Sequence, residues 1–165
     1  MIGNDVVDLA LAARESTISR KGFLDKLFIL EEQLFIKTSE DKTLTIWTMW
    51  SQKEAVYKIL RQKGATRGFY PKKIECISIE KVRYQNEVYY TKTIKEGTCL
   101  HTLAVTKKAD FKNCISLPCS APLIYNREIP FFNDNGKLAP ATKSHHGELE
   151  FIFFLKNLSN FQPAF

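Results

Sequence analysis

No apolar run in this sequence approaches the roughly 20 residues needed to cross a bilayer. The densest, Phe151 to Leu155, is five residues long and reads as a buried strand. The opening MIGNDVVDLALAA lacks the basic n-region of a secretory signal. Cys76, Cys99, Cys114 and Cys119 form no CxxC pair and match no common zinc spacing. Free thiols in a reducing cytoplasm are the expectation, with the proximity of Cys114 and Cys119 left open. Low-complexity segments and internal repeats are absent too, which excludes solenoids and arrays.

What is present fits one globular domain. The chain has 165 residues, 44% of them hydrophobic. That length allows about two thirds of the unfolded surface to be buried. Basic residues outnumber acidic ones 24 to 18, a net charge of +6. Such an excess favours phosphate-bearing or acidic partners: a nucleic acid, an acidic protein or a nucleotide.

Helical patterns gather in the first half and strand patterns in the second, which predicts an α+β fold with an N-terminal strand, helices, then an antiparallel or mixed sheet. IGNDVVDL reads as a buried strand leading into a helix. Asp8 suits a helix cap, whereas Asp5 has no such role and is the stronger functional candidate. Gly3 beside them permits close backbone approach. Ser16 to Lys37 reads as two short helices, and Ser39 to Thr43 as a polar linker. Ile74 to Val82, Glu87 to Lys92, Leu100 to Thr106, Ile129 to Phe132 and Glu150 to Leu155 read as strands. Gln85-Asn86, Glu96-Gly97 and Asn133-Asp134-Asn135-Gly136 read as turns. Phe111 to Ile124 is expected to be irregular strand and loop. Residues 1–165 form a single domain, with 91–133 as inserted strands and loop and 156–165 as a tail.

The stretch WTMWSQKEAVYK, Trp47 to Lys58, reads as a long helix continuing toward Lys63. At 100° per residue Met49, Ala55, Val56, Ile59 and Leu60 share the side expected to be buried. Trp47, Trp50, Glu54, Lys58 and Arg61 share the other. Glu54 and Lys58 at i,i+4 make at least an ordinary surface ion pair, worth roughly 0.3–0.5 kcal/mol. Set beside Asp5 near the start, and Ser144, His145 and His146 near the end, they become a kit for a divalent cation holding a diphosphate. Hard cations such as magnesium take one or two carboxylates plus phosphate oxygens. A lysine and a histidine then supply charge-assisted contacts to the phosphates.

GNDVVDL resembles the G-x-D-[IV]-V-[DE] opening of the 4'-phosphopantetheinyl transferases, and WSQKEAVYK resembles their W-x-x-K-E-A-x-x-K helix. GFLDKLFILEE is similar to the F-x-x-[KR]-x-[FL]-T-x-x-E segment of the holo-acyl-carrier-protein synthase type. GKLAPATKSHHGELEFIFF is similar to that type's closing G-K-P … S-x-S-H segment. The four pieces occur in the family's order. The resemblance implies a 4'-phosphopantetheinyl transferase-like fold and transfer of the 4'-phosphopantetheine arm of coenzyme A to a carrier-protein serine, as in fatty acid biosynthesis, releasing adenosine 3',5'-bisphosphate. It implies Asp5 and Glu54 as ligands of Mg2+. It makes Glu54, Lys58 and His145 catalytic, with Lys58, Ser144, His145 and Arg61 binding coenzyme A. Glu54 or a metal-bound water would take the serine proton.

An acidic acyl or peptidyl carrier protein would dock on Arg14, Arg20, Lys21 and Lys26. A single motif set, compared with the compact type, implies a homo-oligomer, a trimer with the donor cleft between subunits. Val7 stands where larger members carry another acid, and Lys143 where a hydrophobic residue is usual. His101, in HTLAVT, rivals His145. The alternatives are a basic module binding nucleic acid or an acidic protein without chemistry, or a scaffold that kept the fold and lost turnover. No membrane association is expected.

Overall fold

A computed structural model gives the fold and describes residues 1–156. The expected tail falls almost wholly outside them. The chain opens with β1 (Ile2–Asp8), then α1 (Leu9–Glu15), α2 (Phe23–Leu27), α3 (Leu30–Thr38) and the long α4 (Lys42–Gln62). After one turn of 3-10 helix at Pro71–Lys73 come β2 (Ile74–Ser78), β3 (Lys81–Tyr84), β4 (Glu87–Glu96) and β5 (Cys99–Val105). A second 3-10 segment, Lys108–Asn113, leads to β6 (Cys114–Leu117), β7 (Ile124–Asn126), β8 (Ile129–Asp134), β9 (Lys137–His146) and β10 (Leu149–Leu155). The α+β expectation holds, and the ladders within the sheets are all antiparallel.

The described residues form two five-stranded sheets, ordered β1-β5-β4-β3-β2 and β6-β10-β9-β8-β7. Residues 91–133 are shared between them: 91–105 lie in β4 and β5, and β5 pairs with β1, while β6, β7 and most of β8 belong to the second sheet. Both ends of α4 have local causes. Asp41 caps its start by accepting from the Leu44 N–H at 2.9 Å, so the supposed linker is the cap and first turn. At the other end Gly64 takes a left-handed φ of 89°. Ala65 N then bonds Leu60 O, and Gly64 N bonds Arg61 O, which closes a Schellman motif.

α4 lies across the first sheet with Ala55, Val56, Ile59 and Leu60 packed on Ile74, Val82, Tyr89 and Ala104. The two-faced reading of this helix fails at Trp47, which is buried with Val7, Ala12 and Leu100 under α1. α4 is enclosed on more than one side, so an outward helical position need not meet water. Lys53 shows the same effect, being 1% exposed. Its ammonium bonds Glu32 at 2.8 Å, Pro71 O at 2.9 Å and Ile74 O at 2.6 Å. Glu32 also accepts from the Ile29 and Cys76 N–H groups. Both ions of this buried pair are therefore hydrogen-bonded to their surroundings, the condition under which burial is tolerated.

β1 crosses α4 at very short range. A Cβ on Gly3 would sit 1.9 Å from Ala55 O, so only glycine fits there. Asp8 caps α1 as expected, accepting from Ala10 N at 2.9 Å and Leu11 N at 3.2 Å. The four cysteines are free thiols. No helix among the described residues is long and apolar enough to cross a membrane.

Candidate functional site

The close crossing of β1 over α4 carries Asp5 toward Glu54 and Lys58. Glu54 and Lys58 are one helical turn apart, and Lys58 Nζ lies 4.0 Å from Asp5 Oδ1. Side-chain exposure is 16% for Asp5 and 29% for Lys58. Burial raises the pKa of Asp5, against the opposing field of Lys58. Burial, then the charge of Asp5, pushes Glu54 up to about 7. Burial lowers Lys58, against the pull of both acids. Two acids in a half-buried space, both made reluctant to ionise, constitute a pocket short of positive charge.

Lys58 offsets that shortfall only in part, and its hydrogen bonds go elsewhere. Its ammonium donates to Asn4 O at 2.6 Å and Lys143 O at 3.0 Å. One turn on, Gln62 Nε2 donates to Ile2 O at 2.7 Å and Ala141 O at 3.0 Å. These two side chains fill the gap between β1 and the second half of β9. Asn4, fully buried, adds Nδ2 to Ser144 Oγ at 2.8 Å and receives Thr142 Oγ1 on its own Oδ1 at 2.8 Å. At the far end Asp8 N donates to His146 Nδ1 at 2.9 Å. The partners ascend together along both strands, so β1 and β9 run in the same direction, joined by side chains in place of a ladder.

The joint gives each C-terminal candidate a position. Ser144 is buried against Asn4. His146 holds the end of β1. His145 is exposed and, with Lys58, Arg61 and Lys143, lines a cavity of about 420 Å³. A second cavity of about 670 Å³ adjoins it, sharing Arg61, Gln62 and Arg67 and adding Lys63 and Arg127. Together they form a basic trough with α4 on one wall and the second sheet on the other. Both walls come from one chain, so no neighbouring subunit is needed to bring His145 alongside Lys58. His101 is stacked between Phe151 and Phe153, at centroid distances of 4.6 and 5.2 Å. Burial lowers its pKa to about 4, and its Nε2 has no hydrogen-bond partner. Arg14, Arg20, Lys21 and Lys26 are all exposed at α1, α2 and the turn between them.

The acids suit a hard divalent cation. Their oxygens are the donor type magnesium takes, and a third, Ser51 Oγ, is buried close enough to Asp5 to lower its pKa yet makes no hydrogen bond of ordinary geometry. Among the described residues no three His, Cys, Asp or Glu side chains gather to cage a metal. The protein could thus offer two carboxylates and leave the remaining positions to phosphate and water. Asn4 and Gln62 were not singled out as functional in the sequence. Asn4 stands inside GNDVVDL, and Gln62 follows Lys58 at i+4, which are the signals that could have found them.

A model of the 4'-phosphopantetheinyl transferase superfamily matches residues 1–114, covering the helices and the whole first sheet. Among solved structures, an apo-ACPS structure from Chronobacterium ammoiniagenes is similar, with 18% identity and a TM-score of 0.48, over 63% of this chain and 93% of that one. No curated protein matches the sequence. The family match takes in well over half the chain, including Asp5, Glu54 and Lys58, and on that match the chain belongs to the 4'-phosphopantetheinyl transferase superfamily.

Proposed function

We propose that this protein transfers the 4'-phosphopantetheine arm of coenzyme A to a serine of an apo carrier protein. The observation that carries the reading is the placement of Asp5 and Glu54 together at β1 and α4, beside a basic trough large enough for a nucleotide. The serine Oγ would bond to the phosphorus that bears pantetheine. The P–O bond to the second phosphate would break, and adenosine 3',5'-bisphosphate would leave. The serine proton passes to Glu54 or to a water beside it. Without a bound cation, burial and Asp5 push Glu54 up to about 7, so the carboxylate gains its full charge at neutral pH only when a positive partner arrives.

Asp5 and Glu54 would hold Mg2+, whose chemistry when bound is to offset the charge of the diphosphate. Lys58 is fixed by its two carbonyl partners at the rim where the diphosphate would lie. His145 adds a donor from the opposite wall, and Arg61 extends the positive lining along the trough. Fixed donors of this kind stabilise developing charge without reorganising. Ser144 acts through Asn4, setting the β1–β9 joint. Arg14, Arg20, Lys21 and Lys26 offer positive charge to an acidic carrier.

The test is to incubate the protein with coenzyme A, magnesium and an apo carrier protein, then weigh the carrier. A gain of one phosphopantetheine arm supports the reading. No gain on any of several carriers, from fatty-acid, polyketide and peptide synthesis, would overturn it in favour of a binding module or inactive scaffold.

A further inference from the structure

Among the residues lining the trough, Lys58, Arg61, Lys63, Arg67, Arg127 and Lys143 are basic, and Glu128 alone is acidic. Glu128 and Arg127 make the two-residue turn between β7 and β8, where Asn126 pairs with Ile129. Their φ angles are 68° and 47°. Such turns favour glycine and asparagine, because other side chains are strained at positive φ. Here the turn carries one charge of each sign at the trough.

Arg67 faces this turn from the loop after α4. Its Nη1 lies 3.2 Å from each carboxylate oxygen of Glu128, a contact that joins the loop to the second sheet. The pair is 75% and 69% exposed, and ion pairs so exposed contribute little to stability. Other trough cations are held by the fold: Lys58 by two carbonyls, Arg61 by Ala65 O, Lys63 by Glu87. Arg127 has no ion pair among the described residues. Lys143 is paired with Glu150, which leaves Arg127, without an ion pair, and Arg67, whose only charged partner among the described residues is the exposed Glu128, as the cations most open to a new anion. Arg127 lines only the second cavity, which Lys58 and His145 do not reach, and Arg67 lines both, so the two stand where a donor longer than its diphosphate would continue.

We propose that Arg67 and Arg127 bind the phosphomonoester on the donor's ribose, and that Glu128 occupies Arg67 until this phosphate replaces it. The proposal rests on the transferase reading and adds its donor-selecting residues. An arginine offers two parallel donors to phosphate, whereas Glu128 opposes the incoming charge. Selection between donors with and without that phosphate is thus assigned to this turn and this loop.

The test is calorimetric titration of coenzyme A and of dephospho-coenzyme A, which lacks that phosphate, with magnesium present. Wild type, Arg67→Gln, Arg127→Gln and Glu128→Gln are compared, with circular dichroism confirming that each is folded. Each arginine variant should weaken coenzyme A about tenfold or more and dephospho-coenzyme A less than about twofold. Glu128→Gln should tighten coenzyme A several-fold. Equal losses for both ligands, no loss for either, or weaker coenzyme A binding by Glu128→Gln would overturn the proposal alone. Wild-type protein that binds neither ligand would overturn the transferase reading with it.

Discussion

Replacing Glu54 by glutamine isolates the free energy of crowding two acids between β1 and α4. Burial and Asp5 raise Glu54 from 4.5 to about 7. Its folded-state pKa is above the unfolded value, so between those pH values the folded protein holds a proton that the unfolded chain has released. Stability from this group is fully present below about pH 4.5 and falls as pH rises toward 7. At about 1.4 kcal/mol per unit the loss is on the order of 3 kcal/mol. Glutamine keeps the shape and carries no charge. In chelator at pH 8, Glu54→Gln should therefore be more stable than wild type by up to about 3 kcal/mol, and the two should converge near pH 4.5. Urea denaturation at half-unit pH steps gives both curves. Their difference cancels slopes that the two proteins share. Magnesium added at pH 8 should then stabilise wild type, by binding the folded state alone, and should have little effect on the variant, which should also be inactive in transfer. A variant less stable than wild type at pH 8, or a difference that does not change with pH, would refute the reasoning.

Gly3→Ala should cost more than about 2 kcal/mol and abolish transfer, because the new Cβ meets a helix carbonyl that cannot yield; melting temperature and the carrier mass assay check both. Lys53→Met or Glu32→Gln should each cost about 3–5 kcal/mol in urea by leaving a buried charge unpaired. Combining Lys53→Met with Glu32→Leu should recover only part, since the Ile29 and Cys76 amides lose their acceptor. His101 has a folded pKa lowered from 6.5 to about 4, so its contribution is lost as pH falls through that interval. His101→Phe should keep the stacking and exceed wild-type stability at pH 5 by about 2 kcal/mol, read from denaturation midpoints at pH 5 and 8.

The elements with strong local signals were legible. Asp8 as a cap and the glycine and asparagine turns follow from chemistry within a few residues. The start of α4 was missed because Asp41 sits among polar neighbours and looks like linker until its carboxylate is seen on Leu44 N. Trp47 and Lys53 were misjudged or overlooked because helical periodicity sorts residues into sides without telling how many sides are covered. The grouping of Asp5, Glu54 and Lys58 was legible as residue types in order. The structure adds that Lys58 bonds backbone carbonyls on two strands, one of them 85 positions away. The second sheet and its junction with β1 rest on such long-range side-chain to backbone bonds, which leave no periodic trace in a sequence.

That Lys58 and Gln62 span two strands means the bonds fastening the halves of the molecule also form the rim of the proposed donor cleft. Completion of that cleft consequently depends on the second sheet being in place. A fragment ending near residue 114 would retain the acids on the first sheet but strip Lys58 and Gln62 of Lys143 O and Ala141 O. On the proposed function, loosening the second half would stop transfer before it unfolds the first.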